Sequence, residues 1–142
     1  MQNFTLPGAN RWLIRLLLDH CCAVTLTRVS FLPALIVIDV QQGFLDPVWG
    51  RTDNPSAEDN IRRLLSAWRR RDWPVVLVRH DSLTPDSPLA AHHSGNRFQE
   101  GIDGAHHLLV SKTVNSAFYG TPDLRTWLDS QGINSVVICG LT

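Results

Sequence analysis

Residues 33 to 44 read Pro33-Ala-Leu-Ile-Val-Ile-Asp-Val-Gln-Gln-Gly-Phe44, and the reading of this stretch decides the fold. An unbroken apolar run from Ala34 to Ile38 stops at a single carboxylate, Asp39. A short β-branched run without polar alternation is the pattern of a strand buried on both faces, as at the centre of a parallel sheet. Asp39 then sits at the strand's carboxyl end. In open α/β sheets ligands bind in the crevice outside those ends, so an acid placed there is a functional candidate. An Asx turn that merely ends the strand is the alternative.

Working outward, Gly43, Pro47 and Gly50 make residues 41 to 54 a loop. A helix is predicted next, with Asn54 as N-cap, Pro55 at the first helical position, Glu58 and Asp59 near its positive end and Arg69 to Arg71 near its negative end. Ile61, Leu64, Leu65 and Trp68 recur at helical spacing and form one apolar stripe. The arginine run is a solvated helix end in this reading. Val75 to Val78 is a second apolar strand, ending at Arg79, His80 and Asp81, and strand-helix-strand at this length is a βαβ unit.

Residues 82 to 104 are rich in Pro, Ser, Gly and His and carry no period. A loop this long in a compact domain usually wraps a site. Its neighbours His92, His93, His106 and His107 lack an ordered ligand spacing, so no metal and no cofactor is expected. A third strand, His107 to Ser111, delivers Lys112 to the same edge as Asp39. A helix capped by Thr121, with Pro122 first, Leu124, Trp127 and Leu128 as its stripe and Gly132 at its end, leads to a fourth strand, Ser135 to Cys139.

Composition narrows the function. The 142 residues are 44% hydrophobic and 18% charged, which suits one globular domain. Thirteen basic and thirteen acidic residues give zero formal net charge, so neither nucleic acid nor an anionic membrane is the expected partner, and a small molecule is. Three cysteines, Cys21, Cys22 and Cys139, form neither a disulfide framework nor a spaced metal site, which implies a reducing, cytoplasmic setting. Residues 1 to 32 read as an N-terminal extension peripheral to the fold, translated from an upstream start. Trp12 to Val29 is interrupted by Arg15, Asp19, His20 and Arg28, so it is neither a membrane span nor a signal segment, though Leu13, Leu16, Leu17 and His20 can share a helix face.

Three motifs in order, Leu35-Ile-Val-Ile-Asp39 with Val-Gln-Gln-Gly-Phe44, Lys112 ahead of Asn115-Ser-Ala-Phe-Tyr-Gly-Thr121, and Val136-Val-Ile-Cys-Gly140-Leu-Thr, resemble the isochorismatase-like cysteine hydrolases over residues 33 to 142. The resemblance implies a doubly wound parallel sheet, a Rossmann-like three-layer α/β/α fold with strand order 3-2-1-4 and the family's strands 5 and 6 missing. It also implies catalytic roles for Asp39 and Lys112, pocket walls from Phe44, Asn115 and Tyr119, and an oxyanion and cis-peptide turn at Gly140, Leu141 and Thr142. Ordinary core packing is the alternative for Phe44 and Tyr119.

The family's third group is a cysteine thiol, which needs a carboxylate to take its proton and a cation to favour the thiolate. That nucleophile lies a few residues beyond the Gly-Leu-Thr turn, past the end of this sequence. Cys139 is no substitute, because the last apolar position of a strand is expected to be buried and inert. The expected activity is hydrolysis of an amide-like C–N bond. Two alternatives remain: a vinyl-ether hydrolase with Asp39 as general acid, and an inactive fragment or assembly module with an apolar edge at strand four. The sequence does not set the oligomeric state, although the family's tendency to associate and that edge both push toward a homo-oligomer. Nicotinamidase-like members carry Asp-x-His-x-x-His after strand two. The stretch here is Arg79-His-Asp-Ser-Leu-Thr, which disfavours that subgroup.

Overall fold

The computed structural model describes residues 32–50 and 54–141. The elements are β1 (Ala34–Ile38), α1 (Ala57–Arg69), β2 (Val75–His80), β3 (Leu108–Lys112), α2 (Leu124–Ser130) and β4 (Val136–Gly140), joined through short 3-10 turns at Gln42–Leu45, Pro47–Trp49, Ser94–Asn96 and Ala117–Tyr119. All four strands are parallel, in the order β3-β2-β1-β4. The chain winds outward from β1 to β3 and then returns through α2 to the other side of β1. Because such crossovers are right-handed, reversing the direction of winding puts α1 and α2 on opposite faces of the sheet.

Strand alternation divides the core accordingly. Ala34, Ile36, Val76, Val78 and Val110 face α2 and pack with Leu124 and Leu128. Leu35, Val37, Val75 and Leu77 face α1 and pack with Ile61 and Leu65. Leu64 and Trp68 complete the predicted α1 stripe, partly buried, and the Trp68 indole donates to the carbonyl of Pro33. β4 is, with β3, one of the two outer strands among the described residues. Its α1-side positions pack inward, whereas Val136 and Ile138 on the α2 side are exposed, Ile138 at 57%.

Both helix starts differ from the sequence reading. Asn54 and Pro55 form a turn in which the Asn54 side chain accepts from Ser56 N–H, and the helix begins at Ala57 after Ser56. The second helix is capped by Asp123, whose carboxylate accepts from Thr126 N–H, not by Thr121. Thr121 is engaged by the sheet instead, its N–H and carbonyl both pairing with Ser111. Asp is also the stronger cap. β2 runs two residues beyond its predicted end, β3 and β4 are each shifted by one residue toward the C-terminus, and Lys112 belongs to β3, in register with His80.

Residues 81 to 107 connect β2 to β3 without an α-helix. Arg62 and Arg69 of α1 hold this segment down, donating to the carbonyls of Glu100 and of Gly101, Ile102 and Ala105, respectively. Among the described residues no helix is long and apolar enough to cross a membrane. The expected N-terminal helix, Cys21 and Cys22, and Thr142 with the peptide bond joining it to Leu141 lie outside the described residues.

Candidate active site

Asp39 is the first residue after β1. It still donates its N–H to Val78 O, but its φ of 60° lies in the left-handed region. Asp is one of the few residues that tolerate this conformation, and such positions concentrate at functional sites. Strict alternation would send Asp39 to the α1 side with Leu35 and Val37. Lys112, following Val110 by two, lies on the α2 side. The left-handed step breaks the alternation and lets the carboxylate meet it.

They meet closely. Lys112 Nζ donates to Asp39 Oδ2 at 2.6 Å, with Asp39 9% and Lys112 2% exposed. The same ammonium lies 3.2 Å from His80 Nδ1. Asp39 Oδ1 is buried and has no hydrogen-bond partner among the described residues. Burial pushes the Asp39 carboxyl above its ordinary range, while the hydrogen bond and charge of Lys112, and more weakly His80, pull it back. The result is a carboxylate more basic than usual with one oxygen anchored and the other buried without a hydrogen bond among the described residues. Lys112 is the only lysine among the chain's thirteen basic residues, a compositional signal that motif spacing does not carry. A compact ammonium, unlike the forked guanidinium, suits a single short contact.

Behind the pair is a buried polar lattice that sequence reasoning missed. Gln41, fully buried, clamps His80 from both sides: Oε1 accepts from His80 N–H at 2.8 Å and Nε2 donates to His80 O at 2.9 Å. Its amide also donates to Asn96 O. Asn96 in turn donates to His80 O, Leu89 O and Asp81 Oδ1. Asp81 pairs with Arg79, whose guanidinium also reaches Ser111 Oγ. Burial alone would raise Asp81, but the hydrogen bonds from Asn96 and Arg79 hold its carboxyl below the ordinary value. The long loop thus docks beside the site through Asn96, as its length implied. Gln41 and Gln42 look equivalent in the sequence. Only the fold buries one of them.

The remaining candidate residues lie further out. Phe44 is half-buried and stacks on Trp49 at 5.4 Å between ring centroids. Asn115 is exposed, as is Tyr119 at 80%, so Tyr119 is not a core aromatic. Gly140 closes β4 opposite Ile38, and its missing side chain matters: a Cβ there would sit 2.2 Å from Ile38 O. Leu141 N–H donates to Ile38 O at 3.1 Å, which engages that amide in the sheet. Cys139 is half-buried against the α1-side core, and burial pushes its thiol up to about 11. The full burial expected of it is not met, because β4 is a terminal strand among the described residues, but the thiol is protonated at neutral pH. Among the described residues no cluster of three or more His, Cys, Asp or Glu side chains could hold a metal ion.

A parallel sheet in the order 3-2-1-4, with a buried carboxylate and ammonium paired at the carboxyl edge beside its switch point, defines a doubly wound α/β protein with a polar site at that edge. Comparison makes the class specific. Residues 33–142 match the isochorismatase domain model, and the chain belongs to the isochorismatase family. It is 39% identical over 110 residues to an uncharacterized isochorismatase family protein, YrdC, of Bacillus subtilis (strain 168), covering 77% of this chain and 58% of that one. A crystal structure of an isochorismatase-family protein from Chromobacterium violaceum ATCC 12472 superimposes with a TM-score of 0.74 at 36% identity, over 80% of this chain and 58% of the other. N-carbamoylsarcosine amidase from Thermoplasma acidophilum gives 0.61 at 28% identity, over 76% and 66%. The chain therefore spans just under three fifths of the length of the first two relatives.

Proposed function

We propose that this protein is a hydrolase that cleaves an amide-like C–N bond of a small molecule, with Asp39 as proton acceptor and Lys112 as its cation. The observation that carries the reading is the asymmetry of one carboxylate: Oδ2 is fixed by Lys112, and Oδ1 is buried, without a partner among the described residues and on a carboxyl made basic by its surroundings. Such an oxygen suits the removal of a proton from a thiol. In this reading the thiol comes from the part of the family fold outside the matched span. Its proton passes to Oδ1, the thiolate adds to the carbonyl carbon, and the proton returns to the departing nitrogen. A water molecule, deprotonated by the same carboxylate, then releases the acyl group. Similarity to N-carbamoylsarcosine amidase supports an amide-type substrate.

A reactive thiol is preserved most readily in a reducing compartment, which supports a cytoplasmic location. The raised Asp39 carboxyl also suits a general acid, which keeps vinyl-ether hydrolysis as a second reading. The test is a screen of the protein expressed from its natural reading frame, through to the stop codon, against primary amides, N-carbamoyl compounds and isochorismate. Ammonia release that falls about 10²–10⁴-fold in Asp39→Asn is expected. Cleavage of isochorismate without amide turnover would replace the first reading with the second. Turnover unchanged in Asp39→Asn would overturn both.

A further inference from the structure

His80 ends β2, the strand between those that carry Asp39 and Lys112. Neighbouring strands are about 4.8 Å apart, so β1 and β3 are separated by about 10 Å with the end of β2 between them. The Lys112 side chain closes that gap by passing over His80. That route is why one ammonium lies within reach of both Asp39 Oδ2 and His80 Nδ1. An ammonium has three protons to donate and no lone pair. Where Nδ1 accepts one of these protons, the ring proton is on Nε2.

The ring is also held in place. Gln41 brackets the His80 backbone with two hydrogen bonds, and Asn96 adds a third. The charged groups facing it are Lys112 from β3, Asp39 from the end of β1, and Asp81, the next residue in the chain, with Arg79 paired to Asp81. Burial and the Lys112 charge push His80 below the ordinary histidine value, against the pull of Asp39 and Asp81.

We propose that His80 is a positioning residue of this site: as the neutral Nε2–H tautomer it accepts one Lys112 proton on Nδ1, fixing the ammonium against Asp39 Oδ2. Protonating the ring removes the acceptor and sets two cations side by side, which uncouples the pair. The functional consequence rests on the reading of Asp39 and Lys112 as the reacting pair, but the interaction itself does not.

Because Lys112 is the only lysine, ¹⁵N-lysine labelling of the chain yields one side-chain ammonium signal. NMR on this chain, with ¹⁵N-labelled histidine in a second sample, tests the proposal without any turnover assay. At neutral pH the His80 ring is expected as the Nε2–H tautomer. Its titration midpoint should lie below about 6.5 and rise in Lys112→Met, where burial alone still opposes the neighbouring carboxylates. The slowly exchanging Lys112 signal should vanish as His80 titrates and in His80→Leu, and survive in His80→Asn, whose side-chain oxygen falls near the Nδ1 position. A His80 ring protonated on Nδ1, a midpoint unmoved by Lys112→Met, or a Lys112 signal identical in the Leu variant and the parent would overturn it. If the Leu variant does not fold, the tautomer and the Lys112→Met shift still decide. Absence of amidase activity with these signals intact would refute the function and leave the positioning role standing.

Discussion

Lys112 Nζ and Asp39 Oδ2 are 73 positions apart in the chain and on strands that are not neighbours, yet they close to 2.6 Å across the end of β2. With Lys112 2% and Asp39 9% exposed, the contact is shielded from water, so neither charge can be removed alone without leaving the other buried.

Asp39→Asn and Lys112→Met are therefore each expected to lower unfolding free energy by about 3–5 kcal/mol, and the double variant by clearly less than their sum. Urea denaturation of the four proteins at neutral pH checks this. The Lys112→Met deficit should shrink on acidification. Asp39's folded pKa is raised, so the native state holds its proton more tightly than the unfolded chain, and the cost of the buried carboxylate disappears as pH falls through that value.

Gln41→Leu removes both brackets on His80 and the bond to Asn96, leaving backbone groups unsatisfied in the interior. Each such group costs about 1–3 kcal/mol, so a loss of several kcal/mol is expected. The loop of residues 82 to 104 should loosen with it. Hydrogen exchange should then show faster amide exchange at His80 and Asn96, with α2 amides little affected.

Asp81 has the opposite pH signature to Asp39. Its folded pKa is depressed, so its contribution is complete above the ordinary carboxylate value of about 3.9 and is lost as pH falls through the folded one. Between about pH 5 and pH 2 the parent chain should lose more stability than Asp81→Asn, as read from thermal midpoints across that range.

Cys139, with its thiol at about 11, should resist alkylation in the folded chain at pH 7.5 and react once urea is added, as followed by mass spectrometry of its peptide. Rapid modification in the native state would contradict its placement against the α1-side core.

The sequence by itself determined the sheet. Ala34–Ile38 and Val75–Val78 are apolar on every residue because central parallel strands are covered on both sides, and that requirement is visible without coordinates. The same holds for the α1 stripe and for the placing of Asp39 and Lys112 at one edge, whereas the strand order came only with the family resemblance. Tertiary structure decided what local pattern leaves open. Asn54 and Thr121 are plausible caps by type, but Thr121 pairs with Ser111, and Asp123 takes the helix. Gln41 became a buried clamp and Gln42 a surface residue because the turn after Asp39 aims one amide at His80. His80 joined the site only because β2 lies between β1 and β3, an adjacency set by strand order and not by any spacing along the chain.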